Sequence, residues 1–171
     1  MKLLLLVLAA ALIAFYVGYL HADEPAAKID LNTDTLGPRT IEELTEKSIV
    51  RDYGLAWRTL RDALNHNQPG ALEGYFTGFA KDDFSRLVQS QLKTGVHVRY
   101  SDRNHRLTAI FYSPSGDAMQ LRDRATLEMQ ILDGTKLLST QQVTRNYLVL
   151  MTPGADRWLV RDLQSIPEGR P

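Results

Sequence analysis

The longest regular pattern in the sequence is AMQLRDRATLEMQILDGTKLLSTQQVTRNYLVLM, residues 118–151. Its first half, 118–132, alternates apolar and polar residues with the period of two that is typical of a β-strand. Residues 133–135 (Asp-Gly-Thr) have the composition of a tight hairpin loop, and the alternation resumes over 136–151. The stretch therefore predicts a long antiparallel hairpin with one apolar face.

Each predicted strand carries one charged residue on that apolar face, Asp123 in the first strand and Arg145 in the second. A three-residue loop at 133–135 sets Asp123 opposite Arg145, where cross-strand Cβ atoms lie about 4.5–5.5 Å apart. A two-residue loop would instead set Asp123 opposite Thr144 and would match the apolar residues less well. We therefore predict an Asp123–Arg145 pair on the concave, cavity-side face of the sheet.

Two interpretations of this pair remain open: a structural ion pair, or a polar anchor for a ligand in an apolar pocket. The same register sets Leu121 opposite Tyr147, and a five-residue turn at 152–156 sets Arg161 opposite Tyr147. Tyr53, on a predicted helix, faces the same space. The candidate ligand-binding residues are Asp123, Arg145, Tyr53, Tyr147 and Arg161.

Upstream of Gly95 the apolar period is helical. A first helix is predicted to follow the capping-box pattern of Thr40 to Glu43 and to end at 65–67, with one apolar face that carries Val50, Tyr53, Trp57, Leu60 and Leu64. A short second helix is predicted over 70–79, and a third from 82 to Gly95. Strands are then expected at 96–101, 107–112, in the hairpin and at 157–163, with a polar turn at 102–105. The order predicts an α+β domain with three N-terminal helices packed on a curved antiparallel sheet of four to five strands.

This order of elements, closed by the terminal strand 156–163 (DRWLVRDL), resembles the nuclear transport factor 2-like superfamily, also called the cystatin-like cone fold. The resemblance covers about residues 41–166 and rests on the pattern of elements rather than on a catalytic signature. It is greatest to membrane-tethered extracytoplasmic, Tim44-like and plastid-division-type domains, which implies a role in binding and assembly. The fold also hosts enzymes, so the resemblance implies a fold but no activity.

An apolar run occupies residues 3–20, and Lys2 before it and Asp23 after it favour a cytoplasmic N-terminus. We expect a signal-anchor transmembrane helix over 1–22 that contacts the lipid bilayer through residues 3–20. A linker is then expected over 23–39, the domain over 40–166 and a tail over 167–171. A cleaved signal peptide is the alternative. Both interpretations place the domain outside the cytoplasm, at the cell membrane or in a periplasmic or secreted location.

Composition limits the possible functions. The chain has no Cys and a formal net charge of +0, so disulfides, thiolate chemistry and electrostatic binding of nucleic acid are not expected. His66 is expected at a helix end, His97 facing solvent and His105 in the polar turn, with no spacing for a metal site. No histidine–carboxylate pair is expected, and no second carboxylate aligns with Asp123 and Tyr53. We therefore predict no catalytic residues, no metal and no cofactor.

Two functions are consistent with the sequence. The first is a membrane-anchored, extracytoplasmic interaction domain that binds a partner protein or another copy of itself, with an exposed apolar patch around Leu138, Leu148 and Leu150. The alternative is a small-molecule-binding or lyase/isomerase-type cone with Asp123, Arg145 and Tyr53 in its cavity. The sequence predicts the first.

Overall fold

The computed structural model describes residues 27–167. Its elements in chain order are strand β1 (Lys28–Asn32), helix α1 (Glu43–His66), a 3₁₀ helix (Pro69–Gly74), helix α2 (Gly78–Thr94), and strands β2 (Val96–Tyr112), β3 (Met119–Asp133), β4 (Lys136–Pro153) and β5 (Trp158–Ile166). The architecture is α+β, as predicted. The expected anchor at 1–22 and most of the tail lie outside the described residues. Within residues 27–167, no helix is long and apolar enough to cross a membrane.

The five strands form one mixed sheet in the order β1-β2-β3-β4-β5. Strands β2 to β5 are an antiparallel meander, as predicted, but β1 pairs in parallel with residues 104–108 of β2. The predicted linker over 23–39 therefore contains a strand of the domain. Lys28–Asn32 alternates exposed and half-buried residues, and its two half-buried side chains, Ile29 and Leu31, pack against the core. An alternation with only two apolar residues, Ile29 and Leu31, was too weak a signal to identify this strand.

Helix α1 covers the concave face of the sheet with the predicted side chains. Tyr53, Trp57, Leu60 and Leu64 are all buried in the core. The helix begins at Glu43, after the predicted cap at Thr40. It ends at Asn67, whose left-handed backbone lets its N–H bond the carbonyl of Ala63.

Only two of the three predicted helices are α-helices. The predicted second helix is a 3₁₀ turn at Pro69–Gly74 that buries Leu72, because two closely spaced glycines do not sustain an α-helix. The third helix begins at Gly78 rather than at 82 and ends, as predicted, at Gly95, which has a φ of 72°.

Two buried polar side chains connect the helices to the sheet. The amide of Gln91 on α2 donates to the carbonyl of Leu64, at 3.1 Å, and accepts from the backbone N–H of Val98, at 2.7 Å. Asp52 on α1 accepts a 2.8 Å hydrogen bond from the backbone N–H of Trp158 at the start of β5. These bonds fix α1 and α2 relative to the strands that build the candidate site.

Strand β2 is continuous across the predicted polar turn. Two irregularities in its pairing with β3 lie between Asp102 and Asn104 and between Ala109 and Phe111. Because one extra residue stands at the first bulge, Asp102 and His105 pair with Leu127 and Ala125, which lie on the same buried face of β3. In a regular strand, residues three apart would face opposite sides.

Candidate functional site

A polar cluster lies in the core between α1 and the concave face of the sheet. The hydroxyl of Tyr53 donates to Oδ2 of Asp123 at 2.7 Å, and Nδ1 of His105 lies 2.7 Å from the same oxygen. All three residues are at most 1% exposed. Helix α1 supplies the tyrosine, β2 the histidine and β3 the carboxylate, so the cluster ties three elements together.

The cluster extends through the bulge of β2. Nε2 of His105 lies 3.7 Å from Oδ2 of Asp102, which is beyond hydrogen-bond distance but close enough for electrostatic attraction. Asp102 in turn lies 4.0 Å from the guanidinium of Arg61 on α1. Charges therefore alternate in sign along the series Arg61, Asp102, His105 and Asp123 when the histidine is protonated.

The environment favours that protonated form. Burial alone lowers the pKa of His105, but the contacts with Asp102 and Asp123 outweigh burial, and the pKa is raised above its ordinary value of 6.5. Burial raises the pKa of Asp102, but the attraction of His105 outweighs it, and that pKa is lowered. Burial, with the neighbouring charge of Asp123, raises the pKa of Tyr53 far above 10.0, so the phenol stays neutral.

Aromatic rings close the cluster on its remaining sides. The Trp57 ring centroid lies 4.7 Å from that of His105 and 5.7 Å from that of Tyr147. The Tyr53 ring meets His105 edge-on at 5.6 Å. Two buried atoms of the cluster, Oδ1 of Asp123 and Nε2 of His105, form no hydrogen bond with any residue in 27–167. Such groups are costly to bury, and in a native protein they call for a structural or functional explanation.

Three of the five predicted site residues meet here. Tyr53 and Asp123 are bonded, and Tyr147 pairs with Asp123 across the β3–β4 ladder. Burial, together with Tyr100 and Asp123, raises the pKa of Tyr147 to about 12. Arg145 and Arg161 are exposed and form no ion pair with Asp123, and Arg145 lies opposite Ala125, close enough for its charge to act on Tyr147.

The predicted Asp123–Arg145 pair and the predicted Tyr147–Arg161 register are wrong. Asp133 pairs with Lys136, so the hairpin loop has two residues, with Gly134 at a φ of 57°. A bulge at Leu138 then shifts the register, and Asp123 meets Tyr147 instead of Arg145. In the next hairpin Pro153 pairs with Trp158, so the turn is 154–157 rather than 152–156, and a bulge at Arg161 adds one more residue to the shift, which sets Tyr147 opposite Ser165.

His105 was not predicted as a site residue, and the predicted absence of a histidine–carboxylate pair is also wrong. The residues 102–105 read as a turn because all four are polar, whereas the bulge keeps the strand continuous and turns His105 into the core. Leu107 and Ala109 alternate with polar residues, and the same period of two places position 105 on their buried face, so the alternation could have predicted the burial of His105.

A cleft of about 300 Å³ lies outside this cluster, between α1 and β1. Its wall includes Arg61 and Asp102, the outer members of the charge series, together with Arg58 and apolar side chains of both elements. Across residues 27–167, no group of three or more His, Asp or Glu side chains is placed to hold a metal ion.

The other prominent feature is the free edge of β4. Strand β5 pairs only with residues 146–153 of β4, so within residues 27–167 the stretch 136–145 is bonded to β3 on one side alone. Residues 136–142 are all exposed, with Leu137 at 53% and Leu138 at 54%. The predicted apolar patch is therefore present at Leu138, whereas Leu148 and Leu150 are half-buried.

The chain has the cone fold of nuclear transport factor 2-like and cystatin-like proteins. No protein-family model and no curated protein matches it. Among solved structures it is similar to the intermembrane-space region of chloroplast protein ARC6, with a TM-score of 0.60 and 12% identity over 75% of this chain and 98% of that one. At that identity the likeness establishes the fold alone.

Two further structures are less similar. One is a putative scytalone dehydratase from Novosphingobium aromaticivorans, with a TM-score of 0.49 and 13% identity over 75% of this chain and 96% of that one. The other is a putative dehydratase of the NTF2-like family from Streptomyces avermitilis, with a TM-score of 0.47 and 10% identity over 70% and 96%. Neither likeness carries an argument about activity.

Proposed function

We propose that this chain is a membrane-anchored, extracytoplasmic interaction domain that binds a partner protein by adding a strand to the free edge of β4. The observation that supports this proposal is the unpaired edge of 136–145. Unpaired backbone N–H and C=O groups at a sheet edge are a template for an extended peptide.

The composition of the edge is unusual for a strand left open. Lys136 and the bulge at Leu138 are at one end of the edge, but residues 139–144 (STQQVT) contain no Lys, Asp, Glu or Pro, the residues that usually protect exposed edges from pairing. Two exposed leucines at one end offer an apolar contact beside the backbone bonds. A partner segment would gain main-chain hydrogen bonds from the edge and side-chain contacts from the leucines.

Site-specific photo-crosslinking of the full chain in its native cells tests this function. A photoreactive residue at Gln141, in the middle of the edge, is expected to give one discrete adduct of higher mass. The matched control is Gln89, which is equally exposed but lies on α2. The same adduct pattern at both positions, or none at Gln141, would contradict strand addition. An adduct of twice the mass of the chain would identify a second copy as the partner.

The membrane location is a separate part of the proposal and rests on the apolar run at residues 3–20. Full-length protein is expected in the membrane fraction, and a chain without residues 1–22 in the soluble fraction. Externally added protease should digest the domain once the outer layer of the cell envelope is permeabilised, while the cytoplasmic membrane is still intact. Digestion only after the cytoplasmic membrane is broken would contradict the extracytoplasmic location.

A small-molecule-binding or lyase-type cone is the second candidate, and the His105–Asp123 contact favours it, since such pairs act as general bases. The side chains of His105 and Asp123 are buried, so a substrate could reach them only if the core opened. Modification by diethyl pyrocarbonate separates the two functions. Modification of His105 as fast as that of the exposed His66 would favour the cone enzyme, and protection of His105 favours a structural cluster.

A further inference from the structure

Three arginines line one depression on the outer face of the sheet, away from the free edge, and Asp123 and Tyr147 of the buried cluster also line it. Arg106 on β2 and Arg122 and Arg124 on β3 are all exposed, and all line a cavity of about 230 Å³. Thr108 and Asn146, which carry neutral hydrogen-bond donors, line the same depression.

The arrangement is unfavourable for the isolated domain. Arg106 lies directly opposite Arg124 in the β2–β3 ladder, and Arg122 is the next outward-facing residue along β3. Like charges directly opposite each other destabilise an antiparallel pair.

No carboxylate in the described part of the chain forms an ion pair with these groups, and Asp123, which also lines the depression, contacts Tyr53 and His105 instead. Within residues 27–167, none of the three guanidinium groups forms an ion pair or a hydrogen bond with another side chain. The nearest acidic position in the ladder is Asp30, opposite Arg106, and its carboxylate is bonded to Lys28 at 3.0 Å. Within residues 27–167, no ion pair balances the positive charge of the three guanidinium groups.

Guanidinium groups bind oxyanions through paired hydrogen bonds of fixed geometry. One carboxylate balances one arginine, whereas a phosphate monoester carries about −1.5 to −2 charges at neutral pH and has three acceptor oxygens. A dianion of that shape matches three arginines more closely. The depression is also larger than a phosphate group, which leaves room for the rest of an ester.

We propose that Arg106, Arg122 and Arg124 form a binding site for the phosphoryl group of a small phosphate monoester. The site is independent of strand addition at β4, because no residue of 136–145 lines the depression. Thr108 and Asn146 contribute neutral donors at its rim.

Calorimetric titration of the full chain in a non-ionic detergent tests the site, with inorganic phosphate and glycerol 3-phosphate as probes. Both are expected to bind and to raise the melting temperature. Arg122→Gln and Arg124→Gln are each expected to weaken binding by about tenfold or more, since each removes a charge-assisted hydrogen bond. The matched control is Arg99→Gln, on β2 opposite Gln130 and outside the depression, which should leave the affinity unchanged.

A second measurement is the melting temperature of the protein in the absence of phosphate. Arg124→Gln is expected to raise the melting temperature, because it removes the opposition to Arg106. A lower melting temperature would mean that Arg124 is favourably paired, and it would overturn the proposal. So would binding of malonate as tight as that of phosphate, no effect of phosphate beyond chloride at equal ionic strength, or an equal loss of affinity in Arg99→Gln.

Discussion

His105 Nδ1 and Asp123 Oδ2 lie 2.7 Å apart in the core, with no solvent access to either side chain. The contact joins two neighbouring strands on the face that α1 covers. It is shared with Tyr53, whose hydroxyl bonds the same oxygen. A buried carboxylate with two such partners is costly to expose or to leave unpaired, so the fold should be sensitive to each member of the cluster.

Asp123→Asn should destabilise the fold strongly. The change leaves a buried imidazolium without its closest counter-charge, and breaking such pairs costs about 3–5 kcal/mol. Denaturant unfolding of the full chain in detergent measures the loss. The control is Asp133→Asn at the exposed end of the same strand, for which a change within about 0.5 kcal/mol is expected. Equal midpoints for the two variants would show that the buried pair does not stabilise the fold.

Tyr53→Phe should cost less, by about 1.5–3 kcal/mol, the range for hydrogen bonds to charged groups. The ring and its packing remain, so the loss reports the hydroxyl alone. Tyr75→Phe is the matched control, because the half-buried Tyr75 ring keeps its stacking on Arg157 in the variant. A Tyr53→Phe variant as stable as the parent chain would mean that Asp123 finds another donor.

The contribution of His105 should depend on pH in a definite direction. The folded pKa is raised above the unfolded value of 6.5, so the stabilisation is fully present below pH 6.5 and is lost as pH rises through the folded pKa. His105→Asn should therefore be more destabilised relative to the parent chain at pH 5.5 than at pH 8.5. Unfolding curves at the two pH values measure the difference. A difference that grows with pH would show that the neutral imidazole is the stabilising form.

The contribution of Asp102 to the stability of the fold should be lost at low pH. Its pKa is lowered below 3.8, so its stabilisation is present above pH 3.8 and is lost as pH falls through the folded pKa. Asp102→Asn should consequently narrow the gap in stability between pH 6 and pH 3 relative to the parent chain. His105→Asn offers the reciprocal check, because without the imidazolium the pKa of Asp102 should rise toward its ordinary value. An unchanged acid response in both variants would separate Asp102 from the series.

The β4 edge can be protected by a single charge. Thr140→Lys introduces the kind of residue that guards natural sheet edges, at a position that is exposed in the structure. The crosslinked adduct at Gln141 should disappear while the free energy of unfolding changes by no more than about 0.5 kcal/mol. Thr35→Lys, at an exposed position between β1 and α1, serves as a charge-matched control outside the edge. Retention of the adduct in Thr140→Lys would locate the partner elsewhere.

The sequence was sufficient for the features that depend on long, regular patterns. The buried face of α1 with Tyr53 and Trp57, the stop at Gly95 and the β3–β4 hairpin all follow from periodicity or from glycine chemistry. The recognition of the fold rested on the order of these elements, and the similar solved structures confirm it.

The features that were missed depend on single residues that break a pattern. One extra residue in β2 brought His105 inward, and one at Leu138 of β4 moved Arg145 away from Asp123. A bulge leaves no compositional signal of its own, because its energy depends on the partner strand. The parallel strand β1 is similar in this respect, since its five residues are held by contacts with β2 and the core rather than by an alternation of their own.

The edge stretch 136–145 of β4 begins and ends with a basic residue that trypsin recognises. Lys136 and Arg145 are the only tryptic cleavage sites in 136–145, so trypsin acting at both would release the peptide Leu137–Arg145. Release of the peptide requires residues 136–145 to separate locally from β3. A partner segment bound along the free edge of β4 would have to dissociate as well. The rate at which this one peptide is released therefore measures how much of the protein is occupied, whatever the chemical identity of the occupant.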